Sequence, residues 1–266
     1  GELAHQFSQE LQLNYTSNRL KATAGLYYFR ETDASIPGTS PFELFLLRDA
    51  GLFTLFGVPL PNTPNYIVDF VEIGGTIKTR AKAAFAQATY DLTDKLSLTA
   101  GVRFSKESKE AFLLNRLSLT EPFVSNSPYH NDSLMPPLTH EPRVSFSSTT
   151  PNFGIQYQAD ARTLLHASYS KAFKSGGYDV TTVAPAFEPE KLTAYEVGLK
   201  TTTPNNRLRF NAAAFYYDYT NLQVLQVVGA VVVTTNAATA RVWGLEAQVD
   251  AIISRSEEHT SELQSH

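Results

Sequence analysis

The chain has 266 residues, with 22 lysines and arginines against 26 aspartates and glutamates for a formal charge of -4. That balance does not favour a phosphate-backbone partner, so nucleic-acid binding is not expected. Cysteine is absent, which removes disulfide frameworks, thiolate metal sites and cysteine nucleophiles together.

The first predicted strands are 7–15 and 20–28. Phe7, Gln9, Leu11, Leu13 and Tyr15 alternate with Ser8, Glu10, Gln12 and Asn14; across the turn Thr16-Ser17-Asn18-Arg19, Leu20, Ala22, Ala24, Leu26 and Tyr28 carry the alternation on. Period two is the mark of a strand with two unlike faces. The stretch 41–58, PFELFLLRDAGLFTLFGV, is apolar, but Arg48, Asp49 and the bracketing prolines exclude a spanning helix. The expectation there is a short loop helix on a rim, with Phe45 and Phe53 as candidate ligand contacts. Strands follow at 80–92 and, after Thr93-Asp94-Lys95, at 96–104, where LSLTAGVRF alternates strictly. Further segments run through Phe153, Ile155 and Tyr157, through Leu165, Ala167 and Tyr169, and through Tyr195, Val197 and Leu199. The last two run through Leu208, Phe210, Ala212, Ala214 and Tyr216, and through Trp243, Leu245, Ala247 and Val249. About nine strands of roughly ten residues result, the length a tilted strand needs to cross a bilayer.

The connections alternate in length. Short turns at Thr16 to Arg19, Thr93 to Lys95, Ala159 to Arg162 and Thr203 to Asn206 are interleaved with long links at 31–76, 107–147, 174–192 and 225–238. Soluble sandwiches have no reason to enforce that asymmetry, whereas outer-membrane barrels have short periplasmic turns and long external loops. Charge agrees: Arg103, Glu196, Lys200, Glu246 and Asp250 all fall in the register opposite the leucines and aromatics. A cation facing lipid at mid-depth costs about 2 to 4 kcal/mol, so a polar, water-filled interior is the simpler reading. The mean hydropathy of -0.20 is compatible, because the two faces cancel in an average.

The stretches YSKAFKSGGYD (Tyr169 to Asp179), FEPEKLTAYEVGLK (Phe187 to Lys200) and RLRFNAAAFYYDYTNLQV (Arg207 to Val224) resemble the barrel of TonB-dependent outer-membrane receptors. So do QATYDLTDKLSLTAGVRFSKESK (Gln87 to Lys109), GLYYF (Gly25 to Phe29) and NAATARVWGLEAQV (Asn236 to Val249). The resemblance implies an all-β, antiparallel, up-and-down transmembrane β-barrel of 22 strands, of which this chain holds about nine. It also implies an N-terminal plug and nutrient import energised through TonB. Residues 1–254 are expected to be partial receptor barrel and 255–266, RSEEHTSELQSH, an adapter-like non-native tail; both ends read as truncations of a longer frame.

No covalent chemistry, metal or cofactor is expected. Ser168-Tyr169-Ser170-Lys171 matches S-x-x-K, but that motif needs one helical turn, and a strand puts the pair on opposite faces. His5, His130, His140 and His166 lack metal-ligand spacing. Lys171 and Lys174, beside Ser175-Gly176-Gly177, are either a cationic mouth touching ligand or lipopolysaccharide, or a strand end with glycine bends. Arg103, Glu196, Lys200, Arg207 and Glu246 are the candidate polar lumen residues, with Glu190 a further ion-pair candidate. The expected function is uptake of a scarce nutrient, of the siderophore-iron, cobalamin or saccharide class, at the outer membrane of a Gram-negative bacterium. The expected partners are membrane lipid, lipopolysaccharide, a small ligand such as an iron chelate, and TonB through a plug. A non-transport envelope barrel, an adhesin or structural pore, is the alternative.

Overall fold

The structure is a computed structural model describing residues 2–35, 40–47, 65–120, 138–179, 184–228, 231–236 and 239–252. In chain order the strands are β1 (Glu2–Thr16), β2 (Leu20–Ser35), β3 (Ser40–Leu47), β4 (Asn65–Asp91), β5 (Leu96–Thr120), β6 (Leu138–His140) and β7 (Arg143–Asp160). They continue with β8 (Thr163–Lys174), β9 (Glu190–Thr202), β10 (Leu208–Thr220), β11 (Gln223–Val228), β12 (Val231–Asn236) and β13 (Ala240–Ala251). The main sheet follows β1-β2-β4-β5-β7-β8-β9-β10-β13. Every neighbouring pair is antiparallel. This is the all-strand, up-and-down order that the alternation predicts, and its nine successive strands are the nine expected segments. β3 and β6 pair against β4 and β5, and β11 with β12 makes a separate hairpin.

One row of directly opposed residues crosses all nine strands: Tyr15, Ala22, Ala88, Ala100, Phe153, Tyr169, Tyr195, Tyr216 and Trp243. It starts beside a short turn on β1 and ends beside a long link on β13, so the pairing direction climbs across the sheet, as it must where strands are tilted. Phe153, Tyr169, Tyr195 and Tyr216 follow one another with ring centroids 6.1, 5.2 and 6.4 Å apart. From β1 to β8 the adjacent row on the other face is small or polar, Asn14, Thr23, Gln87, Gly101, Asn152 and Ser170; it continues as Ala194, Tyr217 and Val242. Within it Thr23 Oγ1 donates to Asn14 at 2.8 Å and Asn152 Nδ2 to Gln87 at 3.1 Å. Cross-strand pairs of this kind are the unit of sheet stability, and here they keep the two faces chemically distinct.

The short turns carry their own polar chemistry. The Lys95 and Leu96 amides donate to Thr93 Oγ1 at 3.2 and 3.0 Å. Asp160 accepts the Arg162 amide at 2.8 Å, a hydrogen bond that holds its carboxyl below the usual carboxylate range. Between β9 and β10, Asn206 takes the left-handed conformation at φ 53° that asparagine tolerates in turns.

Three expectations change at the long-link end. β4 and β5 are 27 and 25 residues long, so 65–76 and 107–120, expected as loops, are paired strand. There the register of the leucines turns charged, at Lys78, Arg80, Lys82 and Lys106, so the apolar alternation ends while the pairing persists. The predicted loop helix is also corrected: 40–47 is strand β3, laid against β4 with Phe45 opposite Ile67. The remainder of that segment, with Phe53, lies outside the described residues. The link at 225–238 likewise contains strand, the facing halves of β11 and β12.

Candidate functional site

The polar face of the sheet is built in tiers. Nearest the short turns, Arg162, Lys200, Arg207, Arg209 and Asp250 border a cleft of about 1110 Å³. Lys200 and Arg207, two of the expected lumen residues, therefore meet at this end. One tier up, His166 Nε2 lies 3.3 Å from Glu196. The His166 ring packs over Gly198, directly opposite, where any Cβ would collide with it. A glycine here is a steric requirement of the ring, as it is at Gly25 beneath Phe85.

Higher on β5, Arg103 stands over the rings of Tyr27 and Phe85, at 5.4 and 5.6 Å. Tyr27 stacks on Phe29 at 6.5 Å. The guanidinium is held over the aromatic faces by the ring quadrupoles, and its Nε donates to Ser105 Oγ at 3.2 Å. Glu246 lies on the same face of β13, opposite Ala213.

The link from β8 to β9 folds over this polar face. Gly177 and Phe187 exchange backbone hydrogen bonds at 3.1 and 2.9 Å. Tyr178 packs with Ala111 and the fully buried Leu113, flanked by Ile77, Val144 and Ala186; burial pushes its phenol above the ordinary value. The β11–β12 hairpin is tied to the same link. Asp179 accepts the Thr234 amide at 2.6 Å and its hydroxyl at 2.8 Å. Asn236 clamps the Glu188 backbone, accepting its N–H at 2.7 Å and donating to its carbonyl at 2.8 Å. Gln223 donates its amide N–H to Glu190 at 2.9 Å and its side chain to Ser175 O at 2.9 Å. Glu190 is thus a backbone anchor as well as an acid.

The two candidate mouth lysines diverge. Lys171 is opposite Thr193 in the register of Tyr169 and Tyr195, the apolar face, whereas Lys174 is opposite Glu190 in the other register. Ser168, opposite Glu196, is on the polar face, so the S-x-x-K serine and lysine stand on opposite sides of β8. Asp179, Glu188, Gln223, Thr234 and Asn236 are the site residues that sequence reasoning missed. Their partners lie 15 to 55 residues away, and no local spacing marks them.

Comparison with known proteins gives a consistent result. The ferric-pyoverdine BN7/BN8 receptor of Pseudomonas putida is 28% identical over 159 residues, 59% of this chain and 17% of that receptor. The metal-pseudopaline receptor CntO of Pseudomonas aeruginosa is 38% identical over 76 residues, 28% of this chain and 10% of its own length. Among solved structures, the ferric yersiniabactin uptake receptor FyuA from Yersinia pestis superposes with a TM-score of 0.65 at 19% identity, covering 95% of this chain and 33% of that one. The ferric-catecholate import receptor Fiu of E. coli, closed form, gives 0.63 at 17% identity, covering 95% and 36%; likeness at these identities speaks to fold. The chain spans about a third or less of these relatives. Residues 3–254 match the family model described as "TonB dependent receptor-like, beta-barrel", and with its single two-faced antiparallel sheet the chain belongs to that family.

Proposed function

We propose that this chain is part of the barrel wall of a receptor that imports a scarce metal chelate, of the ferric siderophore class, across the outer membrane of a Gram-negative bacterium. The observation that carries the reading is the unbroken row from Tyr15 to Trp243, backed from β1 to β8 by a row of small and polar residues on the other face. Such a wall separates hydrocarbon from a watery passage. The relatives that are receptors for ferric-pyoverdine and metal-pseudopaline favour a metal chelate over cobalamin or saccharide.

In this reading ligand is captured at the long-link end. Phe45 and Phe53 supply apolar contact, Lys174 and Lys171 supply charge at the mouth, and Arg103, Glu196, Lys200, Arg207 and Glu246 line the polar face below. Lipid and lipopolysaccharide surround the outer face. Energy comes from TonB through a plug domain seated in the complete barrel. No bond is made or broken in the cargo by these residues; binding and gated release suffice.

The test is radioiron uptake in a strain lacking the parent receptor and complemented with it. Restoration by the intact receptor for one ferric chelate is expected, with the Phe45→Ser/Phe53→Ser variant reducing it about tenfold through lost apolar burial of roughly 1.5 kcal/mol or more. Uptake identical with and without the receptor for every ferric chelate tried would remove the transport reading. Uptake unaffected by the double substitution would remove the two phenylalanines from it.

A further inference from the structure

Toward the long links of β2, β4, β5 and β7, the apolar face turns cationic. Arg30, Lys78, Arg80, Lys82, Lys106 and Arg143 all stand there with exposed side chains. Among the described side chains of these rows the one acid is Glu110, which bridges Arg80 at 3.4 Å and Arg143 at 3.1 Å. Four of the cations are set against their own kind: Arg30 directly opposite Arg80, and Lys82 directly opposite Lys106. Like charges in directly opposed positions destabilise a sheet. One pair nearer the short turns, Ala84 opposite Phe104, the same face is apolar.

The height of the patch is informative. From Tyr90 at the short turn to Lys82, β4 advances about 26 Å, or roughly 20 Å of vertical rise at the usual tilt. Lys82 therefore reaches the outer rim of a hydrocarbon band. On the far half of the sheet the same face carries Lys171, Lys191 and the pair Arg241–Asp218 at 3.6 Å, with no cation directly opposite another among the described residues. Directly opposed cations are the mark of the β2–β4–β5 side. An open cleft of about 730 Å³ there is bordered by Phe7, Arg30, Lys78, Arg80 and Lys82 against the single acid Glu31, with the Arg30 guanidinium 5.5 Å over the Phe7 ring.

We propose that this patch docks the phosphorylated head group of an outer-leaflet glycolipid, whose acyl chains lie against Leu26, Ala84 and Phe104 below it. A phosphate seated between opposed cations turns repulsion into charge-assisted hydrogen bonds, which Arg30 and Arg80 make in pairs and Lys82 and Lys106 make as point charges. Apolar rows directly beneath select an amphiphile over a free anion. The proposal rests on the outer-membrane placement argued above, and assigns a role to side chains on the wall's outside that transport through its inside does not use.

The full-length receptor in detergent, read by native mass spectrometry, tests it with three probes: bisphosphorylated lipid A, the same lipid with both phosphates removed, and inorganic phosphate. The expected result is retention of the bisphosphorylated lipid alone. Retention should fall about tenfold or more in Arg30→Gln/Arg80→Gln/Lys82→Gln/Lys106→Gln, persist in Arg30→Lys/Arg80→Lys, and be unchanged in Lys95→Gln, at the short-turn end. Heat-modifiable gel mobility checks that each barrel is folded; should the quadruple variant fail that check, Lys82→Gln/Lys106→Gln alone is expected to show a reduced retention. Equal retention of the dephosphorylated lipid, displacement by inorganic phosphate at matched concentration, or indifference to neutralisation would each overturn the docking site. Recovery of the wild-type receptor outside the outer-membrane fraction would instead overturn the placement on which it rests.

Discussion

Leu98 and Thr99 are neighbours in sequence and belong to different solvents. Leu98 sits between Tyr90 and Ile155 in the apolar register, while Thr99 shares a 2.8 Å hydroxyl contact with Thr89 on the polar face. Leu98→Arg in the full-length receptor is expected to cost about 2 to 4 kcal/mol of membrane assembly. Thr99→Arg loses one hydroxyl pair, worth about 1 kcal/mol, and gains a solvated cation, so it should assemble. Heat-modifiable mobility of the outer-membrane fraction measures both, and equal outcomes would argue against two unlike faces. Single residues also explain where alternation breaks without harm. Gly198 and Gly25 interrupt apolar or polar counting, yet each is the floor for a ring on the neighbouring strand.

At the scale of elements, what was readable and what was not divides by solvent. The nine strands of the sheet are legible because hydrocarbon and water impose opposite demands on successive side chains, and LSLTAGVRF at 96–104 obeys them without exception. Past Lys82 and Lys106 the outer register turns charged while the other face buries Ala111 and Leu113, so the apolar period lapses, and the strands run on unannounced to Asn65 and Thr120. β3 was hidden for another reason: FELFLL is apolar without a period, and such runs suit a helix and a strand alike. The mouth was least legible, because Asp179 finds Thr234 only after two links have folded together. That tie yields a prediction. Asp179→Ala removes both hydrogen bonds to Thr234, bonds to a charged group worth about 1.5 to 3 kcal/mol each. The β11–β12 hairpin in the intact receptor should then be cut at least about tenfold faster by an external protease, with barrel mobility unchanged. An unaltered cleavage rate would mean the hairpin is held by its other anchors.

At the scale of the whole molecule, the path of the sheet ends at β1 and β13, and among the described residues neither has an outer partner. An unpaired strand edge in lipid leaves several kcal/mol of backbone hydrogen bonding unmet per exposed group. The 266-residue chain alone is therefore expected to give no discrete channel conductance in planar bilayers. Regular steps of conductance from it would mean that it closes on itself or on copies of itself. The climbing row has one more consequence. Its last position is occupied by Trp243, the only tryptophan of the chain, exposed on the apolar face at one end of the wall. Its indole thus sits at a fixed depth, and in a receptor with every tryptophan outside these residues replaced, bromine-labelled acyl chains, which quench only indoles within reach, become a ruler for how far the wall has sunk.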